Sequence, residues 1–319
     1  MSWDGRKVLV TGGAGFIGSH LTRALVSQGA HVTVVDNLST GRAESLAEVA
    51  QRVEFLRAST LERMRLARAM RGVDTVFHLA AVLGVKRTWE EPVRVIRENL
   101  EGTHNVLEAA ANAGARHVVL ASSSEVYGDG APPYAEDSPA APRTGYAAAK
   151  LAEEKLAEGF TSETGLPTTS LRYFNVYGPG QESSAYGFVT AIFCDRVRQG
   201  LAPVIFGDGL QTRDFTFVED TVAGTLLVAE RNHGHEVLNL GTGVETRIRD
   251  LAHAVLAAAG RGDLAPTYAP TRADEVRRRV ADAKKATRML GWKPRVKLEE
   301  GLARTLRLPP RTSPPPRAS

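Results

Sequence analysis

Tyr146 and Lys150 are the residues whose types and spacing most directly indicate chemistry. Because positions i and i+4 share one face of a helix, the Lys150 ammonium can lie near the Tyr146 hydroxyl. A nearby positive charge lowers the pKa of a phenol toward that of a general base. Such a pair is common in helices, so its interpretation depends on the surrounding sequence.

A run of hydroxyl side chains supplies that context. Residues 122–125 read Ser-Ser-Ser-Glu and follow the apolar, strand-like segment 117–121. Hydroxyls at the carboxyl end of a parallel strand face the crevice in which such sheets bind ligands. The sequence therefore predicts that this run and the Tyr146–Lys150 pair share one site.

A glycine-rich loop predicts a dinucleotide site. Gly12, Gly15 and Gly18 lie between a strand-like segment and a helix-like one. Such glycines permit a tight turn, close approach of a pyrophosphate and close helix–strand packing, and the helix N-terminus then binds the phosphates. Asp36 ends the second strand-like segment 18 residues after Gly18, where a carboxylate binds ribose hydroxyls and repels a 2′-phosphate. The sequence thus favours NAD over NADP.

These residues require a parallel sheet covered by helices. Short runs rich in Val, Leu and Phe predict strands at 7–11, 32–36, 53–57, 75–79, 117–122 and 168–173, and helices are clearest at 93–113 and 146–164. Apolar strands alternating with helices are typical of a sheet buried on both faces. We predict an α/β fold, a Rossmann-type doubly wound parallel sheet with a smaller mixed α/β substrate-binding lobe.

The domain boundary is predicted where the composition changes. After about residue 175 Gly and Pro become frequent, and the alternation of segments is lost. We expect an NAD-binding domain over 1–174 and mainly a substrate-binding lobe over 175–308, with chain crossings between them. The Pro-rich stretch 309–319 is expected to be a flexible tail, since it can build neither a helix nor a packed strand.

Composition excludes several other classes of protein. The chain has 319 residues, 43% of them hydrophobic and 24% charged, which are ordinary globular values. Cys194 is the only cysteine, so an intrachain disulfide and a cysteine-based metal cluster are excluded. No metal site is predicted at 233–235, because its two histidines are not accompanied by carboxylate or cysteine ligands. Without a leader-like segment or a long apolar run, we expect a cytoplasmic protein with no membrane partner.

The net charge of +4 does not indicate a nucleic-acid partner. Residues 272–319 hold 14 Lys and Arg against 5 Asp and Glu, whereas residues 1–271 hold 26 against 31. The excess positive charge is confined to a C-terminal region without aromatic interleaving or a nucleic-acid motif.

The order and spacing of these motifs resemble the extended short-chain dehydrogenase/reductase superfamily. The resemblance is closer to its NAD-dependent nucleotide-sugar epimerase/dehydratase branch, as in UDP-glucose 4-epimerases, and covers roughly residues 5–308. Further matching segments are 36–41, 78–81, 172–179, 206–215 and 290–292.

This resemblance implies NAD as the cofactor and a set of roles. Tyr146 is the implied base at the sugar C4 hydroxyl, Ser123 its hydrogen-bonding partner, and Lys150 the holder of charge and nicotinamide ribose. The implied cofactor-binding residues are Gly12, Gly15, Phe16, Ile17, Gly18, Asp36, Asn37, Ser39, Gly41, Ser59, Leu79, Ala80, Ala81, Asn99, Tyr146 and Lys150.

The implied substrate is a nucleotide sugar, UDP-linked in the simplest case. Asn175, Arg213 and Arg272 would meet its diphosphate, for which guanidinium groups are suited, and Glu275 its ribose. The implied substrate-binding residues are Ser123, Ser124, Glu125, Tyr146, Asn175, Val189, Phe206, Arg213, Arg272 and Glu275. The family also implies a homodimer through helices near 93–113 and 146–164.

Departures from the family pattern leave the substrate open. Ser59 stands where an acidic residue usually contacts the adenine, which implies a weaker contact. Glu182 stands where glucuronate enzymes can place an arginine, which disfavours an anionic hexuronate. Arg279 lies near the position that limits bulk around the sugar, and it argues against an N-acetyl group unless it turns toward a sugar carboxylate.

Glu125 keeps the reaction outcome open. Dehydratases and decarboxylases of this family often carry a glutamate there, but a local hydrogen bond at the pocket wall explains it equally well. Ser124 replaces the aspartate that many dehydratases have beside it.

We therefore predict an NAD-dependent nucleotide-sugar 4-epimerase of UDP-hexose type that works through a transient 4-keto sugar. The alternatives are a UDP-glucuronate 4-epimerase or decarboxylase, or an NDP-sugar 4,6-dehydratase. A non-enzymatic NAD-sensing protein is a further alternative, which the complete Ser-Tyr-Lys set disfavours.

Overall fold

The centre of the protein is a seven-stranded parallel sheet. The computed structural model describes residues 3–83, 88, 90–181, 183, 188–231, 234–271 and 276–307. Its strands are β1 (Lys7–Thr11), β2 (His31–Val35), β3 (Val53–Leu56), β4 (Thr75–His78), β5 (His117–Ser123), β6 (Thr168–Tyr173) and β9 (His235–Leu240). They lie in the sheet in the order β3-β2-β1-β4-β5-β6-β9. The predicted α/β fold with a doubly wound parallel sheet is confirmed.

Helices cover both faces of this sheet. The α-helices of the described residues are α1 (Phe16–Ser27), α2 (Arg63–Ala69), α3 (Pro92–Ala113), α4 (Gly145–Thr164), α5 (Val189–Arg198), α6 (Val218–Ala229), α7 (Ile248–Ala258), α8 (Lys284–Leu290) and α9 (Leu298–Arg307). Two 3₁₀ helices span Ala43–Arg52 and Ser124–Tyr127. None of the described helices is long and apolar enough to cross a membrane.

The alternation of side chains along β1 shows why both faces are covered. Val8 and Val10 pack in one apolar cluster with residues of α1 and α6, and Leu9 packs in another with residues of α2, α3 and α4. Successive side chains of a strand point to opposite faces, so an all-apolar strand requires a core on each side.

The start and end of α4 are specified locally. Thr144 caps its N-terminus by accepting a hydrogen bond from the Ala147 backbone N–H, and Gly165 ends it with a φ of 73°. A threonine cap and a left-handed glycine are the signals that begin and end helices. They place Tyr146 and Lys150 in the first two turns, next to the ends of the strands.

The second half of the chain contributes both to the main sheet and to smaller ones. The strands β7 (Val204–Phe206) and β11 (Thr267–Ala269) pair with each other, and β8 (Thr212–Arg213) lies between β10 (Thr246–Arg247) and β12 (Arg278–Arg279). In contrast, β9 returns to the main sheet beside β6. The boundary at 174/175 stays a prediction, and the predicted tail lies outside the described residues.

Candidate active site

The carboxyl ends of five neighbouring strands open into one cleft. Its empty volume, including the open mouth, is about 1560 Å³. Gly12, Asp36, Leu79, Ser123 and Tyr173, which end or follow β1, β2, β4, β5 and β6, all line it. This is the edge at which open parallel sheets bind ligands.

The glycine loop at one end of the cleft has the shape of a pyrophosphate cradle. Gly12 has a φ of +69°, and a Cβ there would stand 2.7 Å from the Ala80 backbone nitrogen. A Cβ at Gly18 would collide with the Gly12 carbonyl oxygen. Gly15 is the N-cap of α1, whose first turn carries no acidic side chain. The exposed N–H groups of this helix end fit a phosphate.

Asp36 extends the cradle toward a ribose. The side chain is buried, and its carboxylate accepts hydrogen bonds from the Ala14 N–H at 2.9 Å and the Leu38 N–H at 2.8 Å. Burial raises the pKa of Asp36, and these two backbone donors oppose that effect. Each oxygen keeps acceptor capacity, so the carboxylate can also accept from sugar hydroxyls. The residues of this end of the cleft therefore fit a dinucleotide.

The three predicted catalytic residues come from two elements, β5 and α4, that border the same cleft. Ser123 ends β5, and its hydroxyl accepts a hydrogen bond from the Glu125 backbone N–H at 3.1 Å. Tyr146 and Lys150 lie on α4, with the Lys150 ammonium 5.8 Å from the centre of the Tyr146 ring. All three line the cleft. The arrangement provides two hydroxyls and one cation around a common space.

The surroundings of Tyr146 shift the pKa of its phenol in the direction opposite to the one that the Tyr–Lys spacing predicts. Burial raises the pKa of Tyr146, and the charges of Glu125 and Glu153 raise it further. The Lys150 ammonium is engaged elsewhere, since it pairs with the Glu153 carboxylate at 2.9 Å. Sequence reasoning did not single out Glu153; the only signal for it was an acidic residue three positions after Lys150.

Glu125 and Ser124 lie beside these residues. Glu125 lines the cleft, and its carboxylate accepts from the Thr144 hydroxyl at 3.4 Å, in agreement with the expected local hydrogen bond at the pocket wall. Ser124 is buried but also reaches the cleft lining.

Most of the residues that were predicted to bind cofactor or substrate line the cleft. In addition to the residues above, these are Phe16, Ile17, Asn37, Ser39, Ser59, Ala80, Ala81, Asn99 and Asn175. Asn99 is fixed by the backbone of Val82, from which it accepts at 2.6 Å and to which it donates at 3.1 Å.

Four of the predicted binding residues are not part of the cleft lining. Gly41 lies behind Asp36, and a Cβ there would stand 2.8 Å from the Asp36 carboxylate. Arg213 donates to the carbonyl oxygens of Thr212 and Val276. Val189 begins α5 directly after the lining residue Phe188, and Phe206 ends β7; neither is part of the lining. Arg272 and Glu275 are outside the described residues.

Other lining residues belong to no predicted ligand set. They include Thr60, Leu61, Glu98, Phe188 and Arg279. Arg277 and Arg278 form ion pairs with Asp208 and Glu245 on the surface, as expected for most of that arginine run. Arg279 instead faces the cleft, because neighbouring side chains of β12 point to opposite sides.

Known proteins match the chain over most of its length. Residues 8–241 match the NAD dependent epimerase/dehydratase family. A UDP-glucose 4-epimerase of Mycolicibacterium smegmatis is 39% identical over 305 residues, covering 94% of this chain and 97% of that protein. A UDP-N-acetyl-alpha-D-glucosaminuronate decarboxylase of Bacillus cytotoxicus is 37% identical over 312 residues, with 94% and 97% covered.

Solved structures agree with this match. The UDP-glucose 4-epimerase of Thermotoga maritima, determined with UDP-glucose, superposes with a TM-score of 0.90. It is 38% identical, and the match covers 94% of this chain and 97% of that one.

Proposed function

The chain belongs to the NAD-dependent epimerase/dehydratase family, and from this premise we propose that it is a UDP-hexose 4-epimerase. The observation that carries the proposal is the convergence of Ser123, Tyr146 and Lys150 on a cleft whose other end fits a dinucleotide. The relatives named as UDP-glucose 4-epimerases support the choice of substrate class. A protein that only sensed NAD would have no need of the catalytic set.

The chemistry is an oxidation and a reduction at the same carbon. NAD, which the glycine loop and Asp36 would hold, would supply the acceptor and the donor of a hydride at C4 of the sugar. Tyr146 takes the proton of the C4 hydroxyl as the carbon is oxidised and gives it back on reduction. Ser123 hydrogen-bonds the same oxygen, and the Lys150 charge favours the phenolate over the phenol. The intermediate is a 4-keto sugar, free to present either face.

Inversion at C4 requires that the sugar turn while the nucleotide stays bound. Asn175 lines the cleft, and its side chain donates to the Asp214 carbonyl at 3.2 Å. Asn175 has a φ of 28°, in the region that few residues other than glycine adopt. We assign it, with Arg213, Arg272 and Glu275, to the nucleotide; Arg213 Nη1 also donates to the carbonyl oxygens of Thr212 and Val276. Binding energy from the nucleotide then keeps the 4-keto sugar in place.

Product analysis tests the epimerase directly. The protein is incubated with NAD and, separately, UDP-glucose, UDP-galactose, UDP-N-acetylglucosamine and UDP-glucuronate, and the products are identified by NMR. The expected product is the C4 epimer of a neutral hexose. A 4-keto-6-deoxy sugar would refute the proposal in favour of a dehydratase.

Arg279 supports a second candidate, conversion of a UDP-hexuronate by decarboxylation or 4-epimerisation. It is half-buried in the cleft lining, and its Nε has no hydrogen-bond partner within the described residues. A guanidinium with free donors is suited to a carboxylate such as the C6 group of a glucuronate. A related decarboxylase is consistent with this substrate class. A UDP-pentose or a C4-inverted hexuronate from the same incubations would establish this candidate.

We further propose a homodimer that buries α3 and α4. The two helices pack side by side on one face of the sheet, and Val93 at the start of α3 is 78% exposed. Sedimentation equilibrium of the purified protein measures the mass, and a monomer at micromolar concentration would contradict the dimer.

A further inference from the structure

Two lysine–glutamate pairs lie on α4 at the same spacing, but only one of them is buried. The Lys150 ammonium donates to the Glu153 carboxylate at 2.9 Å, with the side chains 2% and 3% exposed. Lys155 and Glu158 pair at 2.8 Å with 73% and 52% exposed. A surface pair contributes little, whereas two buried charges depend on each other, because the interior disfavours either one alone.

Glu153 has little other support for its charge. Its Oε1 makes no hydrogen bond within the described part of the chain. Burial raises the pKa of Glu153, and the Lys150 charge and the neighbouring Thr103 hydroxyl oppose that effect. The carboxylate is therefore held mainly by Lys150, and Lys150 by the carboxylate.

A row of buried hydroxyls and one histidine fixes Thr103. The Thr103 hydroxyl lies 2.9 Å from His78 Nε2, and His78 Nδ1 lies 2.7 Å from the Thr11 hydroxyl. Burial, with a contribution from the Lys150 charge, lowers the pKa of His78 to about 3. The imidazole is thus neutral, and the row orients Thr103 without adding charge. The His78 side chain is buried at the end of β4.

We propose that Glu153 is a positioning residue, whose carboxylate holds the Lys150 ammonium in place and sets the pH range in which Tyr146 acts as a base. The proposal rests on the function proposed above, since it assigns Tyr146 and Lys150 to catalysis. Glu153 does not touch the sugar in this account; it acts through its two neighbours on α4.

The direction of the effect follows from the sign of the charge. The negative charge of Glu153 opposes the loss of the Tyr146 phenol proton, so removal of that charge moves this loss to lower pH. Other titratable or charged groups lie near this pair or line the same cleft: His78 of β4, Glu98 of α3, Glu125 of the second 3₁₀ helix, Arg279 of β12, and the ion pair of Glu154 with Arg172 of β6. They are unchanged in the variants.

The test compares Glu153→Gln with Glu153→Asp, with Glu158→Gln as the matched control on the same helix. The pH profile of kcat/KM is measured for each protein. The Tyr146 phenol is titrated by NMR of [¹³Cζ]tyrosine-labelled protein, with and without NAD, and its resonance is assigned by its loss in Tyr146→Phe. In Glu153→Gln the acid limb of the profile, where Tyr146 loses its proton, and the phenol midpoint both fall by about one pH unit, a tenfold change in proton affinity. Glu153→Asp and the control keep the native midpoints.

A purely steric role gives the reverse order. Glutamine matches glutamate in shape, so native midpoints in Glu153→Gln with impaired turnover in Glu153→Asp would overturn the proposal. Thermal unfolding shows whether each variant folds. If Glu153→Gln does not, Thr103→Val removes only the neighbouring hydroxyl and is expected to give a smaller shift in the same direction; no shift there would count against the proposal.

The phenol titration needs no turnover, so the two proposals fail separately. If the native protein converts no UDP-sugar, the proposed function is wrong, and the phenol midpoints still test whether Glu153 sets the ionisation of Tyr146. If the native protein is active and the midpoints do not move, the role of Glu153 is wrong and the epimerase stands.

Discussion

The cofactor end and the sugar end of the cleft are built differently. The cofactor end consists of backbone turns at the ends of β1, β2 and β4, with Asp36 fixed by two backbone N–H groups. The sugar end consists of side chains from separate segments, among them Asn175, Phe188 and Arg279. Local backbone geometry determines the first, and tertiary packing determines the second. The cofactor end is therefore the part that sequence spacing predicts, and the sugar end is the part in which specificity can change.

Loss of the Tyr146 hydroxyl, the proposed acid–base group, has the largest expected effect. Tyr146→Phe removes the acid–base group while keeping the ring, and turnover is expected to fall by about 10²–10⁴-fold. NAD affinity, measured by calorimetry, is expected to change little. Turnover within threefold of the native enzyme would remove Tyr146 from the mechanism.

A change at Asp36 separates the cofactor end from the sugar end. Asp36→Asn replaces the carboxylate that is expected to accept hydrogen bonds from the ribose hydroxyls. NAD affinity is expected to fall by about 10–100-fold, which corresponds to the loss of one hydrogen bond to a charged group. UDP binding is expected to stay native. Asp208→Asn, at an exposed carboxylate paired with Arg277 outside the cleft, serves as the control. Equal losses of NAD and UDP affinity would indicate a damaged fold instead.

A change at Arg279 tests the sugar end alone. Arg279→Gln is expected to reduce kcat/KM for UDP-glucuronate by about tenfold, the loss of one charge-assisted hydrogen bond, with NAD affinity unchanged. Arg278→Gln, its exposed neighbour on β12, is the matched control. If the native protein acts only on neutral hexoses, Arg279→Gln should leave its kcat/KM for UDP-glucose within a few-fold. A large loss there would assign Arg279 to the fold or to the nucleotide.

The smallest effect concerns stability beneath the cofactor end. Burial lowers the pKa of His78 from 6.5 to about 3, so the fold favours its neutral form. The stability from this preference is fully present above pH 6.5 and is lost as pH falls toward 3. In His78→Gln, which keeps a donor and an acceptor, the melting temperature is expected to fall less steeply between pH 6.5 and 4. If the melting temperatures of the two proteins fell equally steeply with pH, His78 would not be the source of the pH dependence of stability.

Much of the fold could be predicted because its signals are local. The predicted strands 7–11 and 168–173 match β1 and β6, and the helix predicted over 146–164 begins one residue before that range. The strand predicted over 32–36 ends at Val35 instead, because the Asp36 side chain turns the chain by accepting from the Leu38 N–H. Apolar runs and helix caps are properties of neighbouring residues, which a single sequence displays.

The remainder depends on contacts between distant segments. Arg279 faces the cleft only because β12 pairs with β8, and the sequence of residues 277–279 does not specify the register of that pair. Glu153 is functional only if α4 buries its polar face against Thr103 and His78. Val189 and Phe206 were assigned by resemblance, and neither is part of the cleft lining in the structure. Such positions follow from packing, which spacing along the chain does not specify.

The central claim, reversible oxidation at C4, is tested most directly with a substrate that carries deuterium there. UDP-[4-²H]glucose is incubated with the native protein and NAD, and the product is examined by NMR. The expected product is UDP-galactose that retains deuterium at C4, because the hydride that leaves the carbon is the one that returns. A product with hydrogen at C4, or one whose C4 is unchanged while another carbon has reacted, would contradict it.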